Sequence, residues 1–191
     1  DIVKPIATFL HPIRVEGLEN LPQGEPLLLC PNHSSNWDPI LLMCALGRSV
    51  NLRIMGKNQL FKIPILRTFL RKMGVFPVDR GHSDIGAVKT SIQALRDGDL
   101  LMVFPEGTRV RKKNRGVRPK GGVAMMAIRG GAKLMPIYIG TKKRLFAPVP
   151  IIFGKPFAPE YTGRKGTAEE YQANADKVMR QAYALGGEAW T

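Results

Sequence analysis

His33 and Asp38 are the residues of this sequence best suited to acid–base chemistry. They lie five residues apart in the polar stretch Asn-His-Ser-Ser-Asn-Trp-Asp, which follows the apolar run Leu-Leu-Leu-Cys. A tight turn would return the carboxylate to one ring nitrogen, where it fixes the tautomer and stabilises the imidazolium formed when the other nitrogen takes a proton. We therefore predict that His33 is a general base oriented by Asp38. The alternative is that Asp38 only caps a helix, as aspartate often does.

The sequence offers no protein nucleophile to act with this pair. Ser34 and Ser35 neighbour His33, but no Gly-x-Ser-x-Gly turn is present to expose a serine. Cys30 and Cys44 lie in apolar runs, which disfavour the thiolate, and no cysteine–histidine spacing suits zinc. We therefore expect the base to activate a hydroxyl or water of the substrate itself, and we expect no bound metal.

Cationic residues follow three further apolar runs of the chain. Lys57 comes after Leu-Arg-Ile-Met-Gly, Arg80 after Val-Phe-Pro-Val-Asp, and the block Glu-Gly-Thr-Arg ending at Arg109 after Leu-Leu-Met-Val-Phe-Pro. If these runs are parallel strands, their carboxyl ends share one edge of the sheet with His33. The planar guanidinium groups of Arg80 and Arg109 suit phosphate or carboxylate. These runs favour a basic pocket around the acid–base pair, although each cation alone also fits a solvated surface.

The order and spacing of these blocks resemble the glycerolipid acyltransferases, the family typified by bacterial 1-acylglycerol-3-phosphate (lysophosphatidate) acyltransferase. The resemblance covers about residues 25–140. It is carried by four blocks: His33 with Asp38, Gly74 with Arg80, Phe-Pro-Glu-Gly-Thr-Arg with Glu106, Gly107, Thr108 and Arg109, and an apolar block around Pro136.

The resemblance implies transfer of a fatty acyl group from a thioester to a glycerol hydroxyl. The acceptor would be 1-acylglycerol 3-phosphate and the product phosphatidic acid for phospholipid synthesis; glycerol 3-phosphate or another lysolipid is the alternative acceptor. No cofactor is expected beyond acyl-CoA or acyl-ACP as co-substrate. In this view His33 and Asp38 are catalytic. The expected substrate-binding residues are Lys57, Arg80, Glu106, Gly107, Thr108 and Arg109.

The alternation of apolar runs and amphipathic segments predicts one α/β domain over residues 1–191, with a motif-bearing core at about 25–140. We expect a central mixed, mostly parallel sheet flanked by helices, as in the glycerolipid acyltransferases. The predicted strands are 27–32, 52–56, 75–79, 100–104, 134–140 and 149–154. The predicted helices are 38–47, 60–73, a segment from Ser83 or Asp84 to about Arg96, 122–128 and 167–185. The basic stretch 109–120 reads as a loop.

The charge balance points to an anionic partner, because 29 Lys and Arg against 15 Asp and Glu give a net charge of +14. No uncharged apolar run approaches the ~18–20 residues that cross a bilayer. The segment 52–73 combines six cations with many apolar side chains and has no acid. It predicts peripheral (monotopic) docking on an anionic membrane, at the cytoplasmic face of the cell membrane. The alternative is that the apolar side of this segment packs on the sheet.

Two readings without catalysis remain as alternatives: a basic nucleic-acid-binding protein and a lipid-binding scaffold. The arginine-rich stretch 109–120 and the net charge suit phosphate backbones. Aromatic residues make up only 7 %, however, and none interleaves the basic stretch as a base-stacking platform would. We therefore expect no specific nucleic-acid partner. The paired His33 and Asp38 argue against the scaffold.

Overall fold

A computed structural model describes residues 3–47, 50–79, 84–111 and 116–190. Its centre is a seven-stranded sheet with the spatial order β1-β7-β6-β2-β5-β3-β4. The strands are β1 Ile13–Glu16, β2 Leu27–Pro31, β3 Leu52–Lys57, β4 Val75–Val78, β5 Leu100–Met102, β6 Lys133–Ile139 and β7 Val149–Phe153. Neighbouring strands are parallel except β6 and β7, which are antiparallel. This arrangement confirms the predicted mixed, mostly parallel sheet.

In the part of the chain that the structure describes, six α-helices pack on the two faces of the sheet or at its edge. They are α1 Val3–Leu10, α2 Asp38–Leu46, α3 Pro64–Lys72, α4 Ile85–Arg96, α5 Gly122–Gly130 and α6 Ala168–Leu185. Short 3₁₀ turns cover Leu18–Asn20 and Asn58–Lys62. Within the described ranges, no helix combines the length and the apolarity needed to cross a membrane.

The central strand β2 is buried on both sides, which explains why its sequence is continuously apolar. Leu27 and Leu29 belong to a core that also includes residues of α2, and α3 contributes Leu70 to its margin. Leu28 and Cys30 lie in the opposite core, against α5 and α6. Burial raises the pKa of the Cys30 thiol, in line with the prediction that its apolar surroundings disfavour the thiolate.

The predicted helix over 60–73 is wrong at its start. Residues Asn58–Lys62 form a 3₁₀ turn, and the α-helix begins only at Pro64. Proline has no N–H and disfavours helical geometry in the preceding residue, and Ile63 is extended with φ −89° and ψ 112°. Proline therefore marks the first turn of α3 and does not lie inside a longer helix.

The remaining elements follow the predictions closely, with two exceptions. No element is predicted before residue 26, yet α1 and β1 lie there, and β1 adds an edge strand beside β7. The predicted strand over 100–104 is shorter, ending at Met102. Of the predicted loop 109–120, the structure describes 109–111 and 116–120, which contain no helix or strand. Predictions for Arg80 and Ser83 fall outside the described residues.

Candidate active site

The sheet topology gathers five loops at one edge. Strands β2 to β6 all run in the same direction, so the loops that follow them leave from the same side of the sheet. His33 follows β2, Glu106 and Arg109 follow β5, and Lys57 ends β3. The loop after β6 reaches the same edge with Lys143. The predicted collection of these residues at one edge is therefore present in the fold.

Asn32 fixes the start of the His33 loop. Its side-chain Nδ2 donates to the carbonyl oxygen of Ile139 at 3.0 Å, and its Oδ1 accepts from the N–H of Ile139 at 2.6 Å. Asn32 is fully buried, and these two bonds extend the pairing of β2 with β6 by one residue after β2 ends. The next residue, His33, thus starts from a defined backbone position.

The turn predicted from the His33–Asp38 spacing is present. Nδ1 of His33 lies 2.9 Å from Oδ2 of Asp38, and both side chains are buried. The same oxygen accepts the backbone N–H groups of Ser34 at 2.6 Å and Ser35 at 2.7 Å. Asp38 is the first residue of α2, but its carboxylate bonds backwards to these residues and not to the helix. The geometry favours the orienting role over the helix-cap alternative.

Lys143 is a further contact of Asp38 that the sequence analysis missed. Its Nζ lies 2.6 Å from Oδ1 of Asp38, and its side chain is only 6 % exposed. Burial alone raises the pKa of the Asp38 carboxyl. The hydrogen bond with His33, the ammonium of Lys143 and the N–H of Ser35 outweigh burial and hold that pKa below its ordinary value. Asp38 is therefore ionised over the ordinary pH range.

The His33 ring packs face to face on Phe104, with ring centroids 4.1 Å apart and 30° between the planes. Phe104 lies in the loop after β5. The His33 ring is therefore held at Nδ1 by Asp38 and on one face by Phe104. Over the described part of the chain, Nε2 of His33 makes no hydrogen bond. That nitrogen is the one available to accept a proton.

Glu106 lies directly behind His33 and is 1 % exposed. Its Oε2 accepts the backbone N–H of His33 at 2.7 Å, and its Oε1 accepts the hydroxyl of Tyr183 at 2.6 Å. Burial raises the pKa of Glu106 to about 7, against the hydrogen bonds from Tyr183 and His33, which lower it. The structure shows Glu106 supporting the His33 loop; its predicted contact with substrate stays a prediction.

The block that follows Glu106 lies at the rim of the site. Gly107 has φ +65°, a left-handed backbone conformation that favours glycine. Thr108 is exposed and Arg109 half-buried. Nη1 of Arg109 donates to Oδ1 of Asn36 at 2.9 Å, which connects this block to the His33 loop. A guanidinium is thereby held beside the acid–base pair, as the sequence predicted.

The second motif block is described only in part. Gly74 has φ +73°, and a Cβ there would lie 2.1 Å from the carbonyl oxygen of Leu52, so no other residue fits without a shift of the backbone. Arg80 and His82 lie outside the described residues. Lys57 is exposed at the end of β3. The binding roles predicted for Lys57 and Arg80 stay predictions.

A cavity of about 790 Å³ opens beside the His33 loop. Its wall is mainly apolar and is built by Val88 of α4, Val123 and Met126 of α5, and Val103 and Phe104 after β5. Phe104 is the residue on which the His33 ring stacks, so the cavity shares a wall with the site. An apolar cavity of this size suits an aliphatic chain.

Two contacts of the site could not be recognised from nearby sequence. Lys143 meets Ser34 from 109 positions away, and Tyr183 meets Glu106 from 77 positions away. The strand-end rule that identified Lys57 and Arg109 would have included the loop after β6, where Lys143 lies. No comparable signal marks Tyr183, which is one of several apolar residues on the buried side of α6.

The fold and the site together define an α/β protein with a buried His–Asp pair at the carboxyl edge of a mixed sheet. A family model described as Acyltransferase matches residues 12–140. The chain is 31 % identical over 159 residues to the 1-acyl-sn-glycerol-3-phosphate acyltransferase of Bacillus subtilis, which covers 81 % of this chain and 78 % of that protein. The chain belongs to the Acyltransferase family.

Two further relatives share this similarity. The 1-acyl-sn-glycerol-3-phosphate acyltransferase of Borreliella burgdorferi is 30 % identical over 136 residues, which are 70 % of this chain and 53 % of that protein. The crystal structure of the 1-acyl-sn-glycerophosphate (LPA) acyltransferase PlsC from Thermotoga maritima matches with a TM-score of 0.72 and 25 % identity. That match covers 100 % of this chain and 81 % of the other. The predicted resemblance and fold class are confirmed.

Proposed function

We propose that this protein transfers a fatty acyl group from an acyl thioester to the free hydroxyl of 1-acylglycerol 3-phosphate, giving phosphatidic acid. The observation that carries the proposal is the bond between His33 Nδ1 and Asp38 Oδ2, which leaves Nε2 to accept a proton. Family membership and the names of the relatives support the reaction class.

In the proposed reaction, Nε2 of His33 takes the proton of the acceptor hydroxyl as its oxygen attacks the thioester carbonyl. Asp38 holds the ring and stabilises the imidazolium. Collapse of the tetrahedral intermediate breaks the carbon–sulfur bond, and the imidazolium returns its proton to the leaving thiolate. General-base assistance of this kind is worth about 10²–10⁴-fold in rate.

The surroundings of His33 and Asp38 support an acyl thioester and a glycerol phosphate as the two substrates. The apolar cavity beside Phe104 suits a fatty acyl chain, and Arg109 at the rim suits the phosphate of the acceptor. A phosphate bound there would hold the glycerol hydroxyl near His33, because Arg109 is joined to the His33 loop through Asn36. In this proposal, CoA or acyl carrier protein carries the acyl group as a thioester.

Turnover of the purified protein tests the proposal. Acyl-CoA and acyl-ACP should be tried with lysophosphatidate, glycerol 3-phosphate, lysophosphatidylcholine and monoacylglycerol as acceptors. We expect lysophosphatidate to give the highest kcat/KM, and Arg109→Ala to lower it more for this acceptor than for uncharged monoacylglycerol. A higher kcat/KM with another acceptor would make that acceptor, and not lysophosphatidate, the substrate. Lipid binding without turnover on any acceptor would favour the non-catalytic scaffold.

We also propose that the protein docks on an anionic bilayer without spanning it. On the predicted segment, Ile63 and Ile65 are 53 % and 87 % exposed, whereas Phe61 and Leu70 pack against the core. The same segment carries four exposed cations: Lys62, Arg67, Arg71 and Lys72. Part of this segment therefore packs on the sheet, as the alternative stated, and the exposed apolar groups near cations suit anionic headgroups.

A second exposed apolar surface involves the loop that carries Lys143. Phe9 of α1 and Phe146 of the loop after β6 are 70 % and 61 % exposed, and their rings meet edge to face at 5.5 Å. Lys142 and Arg144 flank Lys143 in the same loop and are exposed. The combination supports bilayer contact at the edge of the sheet where an acyl chain would enter.

A further inference from the structure

Lys143 occupies a position that exposed surface lysines do not. Its ammonium contacts Oδ1 of Asp38 at 2.6 Å, Oγ of Ser34 at 2.9 Å and the carbonyl oxygen of Gly140 at 2.7 Å. The ammonium donates hydrogen bonds to the oxygens of Ser34 and Gly140 and forms an ion pair with Asp38. The buried charge is thus paired with a carboxylate.

The two oxygens of the Asp38 carboxylate contact different partners. Oδ2 takes the His33 ring and the N–H groups of Ser34 and Ser35, whereas Oδ1 takes Lys143. The carboxylate thus cannot rotate toward or away from the ring without breaking the ion pair. Lys143 holds Asp38 in the orientation that His33 requires.

The ion pair also changes the charge that His33 meets. An ionised Asp38 alone would favour the imidazolium form of the ring, because an opposite charge within ~4–6 Å favours the charged state. The ammonium of Lys143 on the same carboxylate offsets this effect. Among the described residues, the other ionisable groups close to His33 are Glu106, which bonds to its backbone N–H, Tyr183, which bonds to Glu106, and Arg109, which bonds to Asn36 of the same loop.

We propose that Lys143 is a positioning residue that holds the Asp38 carboxylate in place and, by its charge, opposes the effect of that carboxylate on the His33 ring. The inference rests on the proposed role of His33 as the general base. It assigns to the loop after β6 an electrostatic function in the reaction, exerted through Asp38 and without contact with substrate.

The direct test is a titration of the His33 ring by NMR. The chain has three histidines, so the His33 signal is identified by its loss in His33→Ala. Lys143→Gln removes the charge but keeps an N–H donor for Oδ1. We expect the midpoint of the His33 titration to move to higher pH by about one unit. Lys143→Arg, which keeps the charge, should restore most of the wild-type midpoint.

A matched control and a second pair of variants make the outcome unambiguous. Lys155→Gln removes one charge from an exposed lysine after β7 and should leave the midpoint unchanged. Lys143→Gln leaves the Asp38 carboxylate without a counter-ion. If this variant does not fold, the effect of Lys143→Gln is measured in the Asp38→Asn variant, which has no carboxylate at that position. Adding Lys143→Gln to Asp38→Asn should raise the midpoint by a similar amount. Equal midpoints with and without Lys143 would overturn the proposal.

Kinetics separates this proposal from the proposed function. The acid limb of the kcat/KM profile should move to higher pH in Lys143→Gln, in step with the ring titration. If His33→Ala retains turnover, the proposed function fails while the titration still decides what Lys143 does to the ring. If His33→Ala is inactive and Lys143→Gln shifts neither the titration nor the acid limb, only the role of Lys143 fails.

Discussion

At the residue scale, two buried carboxyl groups on either side of His33 have opposite ionisation behaviour. Asp38 meets the His33 ring, two backbone N–H groups and an ammonium, which together hold its pKa below the ordinary value despite burial. Glu106 meets only an N–H and a hydroxyl, so burial prevails and raises its pKa to about 7. The difference follows from the charge of their partners and not from depth alone.

The raised pKa of Glu106 predicts how the free energy of unfolding depends on pH. The folded state binds its proton more tightly than the unfolded chain, in which this carboxyl titrates near 4.5. The free energy of unfolding should therefore fall as pH rises from about 4.5 to about 7. Glu106→Gln removes this contribution. Between pH 5 and pH 8, wild type should lose roughly 2–3 kcal/mol more stability than the variant.

Denaturant unfolding of both proteins at pH 5 and pH 8 measures this difference. The three histidines are present in both proteins, so their contribution largely cancels in the comparison. Asp38, with its lowered pKa, contributes stability that is lost only at more acidic pH, as the solution approaches and passes below its unfolded value of 3.8. Parallel pH dependence in wild type and Glu106→Gln would contradict the assignment of a buried, high-pKa Glu106.

At the element scale, the pairing of β2 with β6 determines where the reacting side chain lies. Asn32 continues that pairing with two side-chain bonds to Ile139, and His33 is the next residue. Asn32→Ala would leave the N–H and the carbonyl of Ile139 without partners in a buried site. We expect a loss of about 2–3 kcal/mol in the free energy of unfolding and about a tenfold fall in kcat/KM.

The capping box of α6 provides the control for this prediction. Thr167 accepts the N–H of Glu170, and the Glu170 carboxylate accepts the N–H of Thr167. Thr167→Ala should cost about 1 kcal/mol of stability with unchanged kcat/KM, because this end of α6 does not contact His33. Denaturant unfolding and kcat/KM are measured for both variants. An Asn32→Ala protein that loses stability but keeps full activity would contradict the prediction.

Local patterns were enough to predict most of these elements, because they depend on contacts within a few residues. The His33–Asp38 turn, the Gly47 end of α2 and the Thr167 cap are all of this kind. The first turn of α3 was predicted wrongly because the apolar periodicity of 60–73 outweighed Pro64. The contacts of Lys143 with Asp38 and of Tyr183 with Glu106 depend on long-range packing, so local patterns do not predict them.

At the scale of the whole molecule, the net charge of +14 and the exposed apolar side chains suit an anionic bilayer. Replacing Lys62, Arg67, Arg71 and Lys72 together by Gln should reduce binding to anionic vesicles and mimic high salt. Turnover on detergent-dispersed substrate should change little. The structure makes Ile65 a better test of insertion than Leu70, since Leu70 packs against the core.

Vesicle co-sedimentation at low and high salt measures these effects. Ile65→Ser tests the α3 surface, and the double variant Phe9→Ser with Phe146→Ser tests the surface after β6. The charge control replaces four exposed cations that lie in or before α6, on the other side of the sheet, by Gln: Lys155, Arg164, Lys165 and Arg180. Equal loss of binding in this control would show that net charge alone matters. Equal binding to neutral and anionic vesicles would contradict the electrostatic argument.

The central claim is that His33, oriented by Asp38, is the general base of acyl transfer. Its most direct test is kcat/KM for transfer from acyl thioester to lysophosphatidate by wild type and His33→Ala, with thermal unfolding of both proteins measured alongside. We predict a fall of at least about 10²-fold in the variant with a similar unfolding temperature. A folded His33→Ala protein that retains more than about a tenth of the wild-type value would contradict the claim.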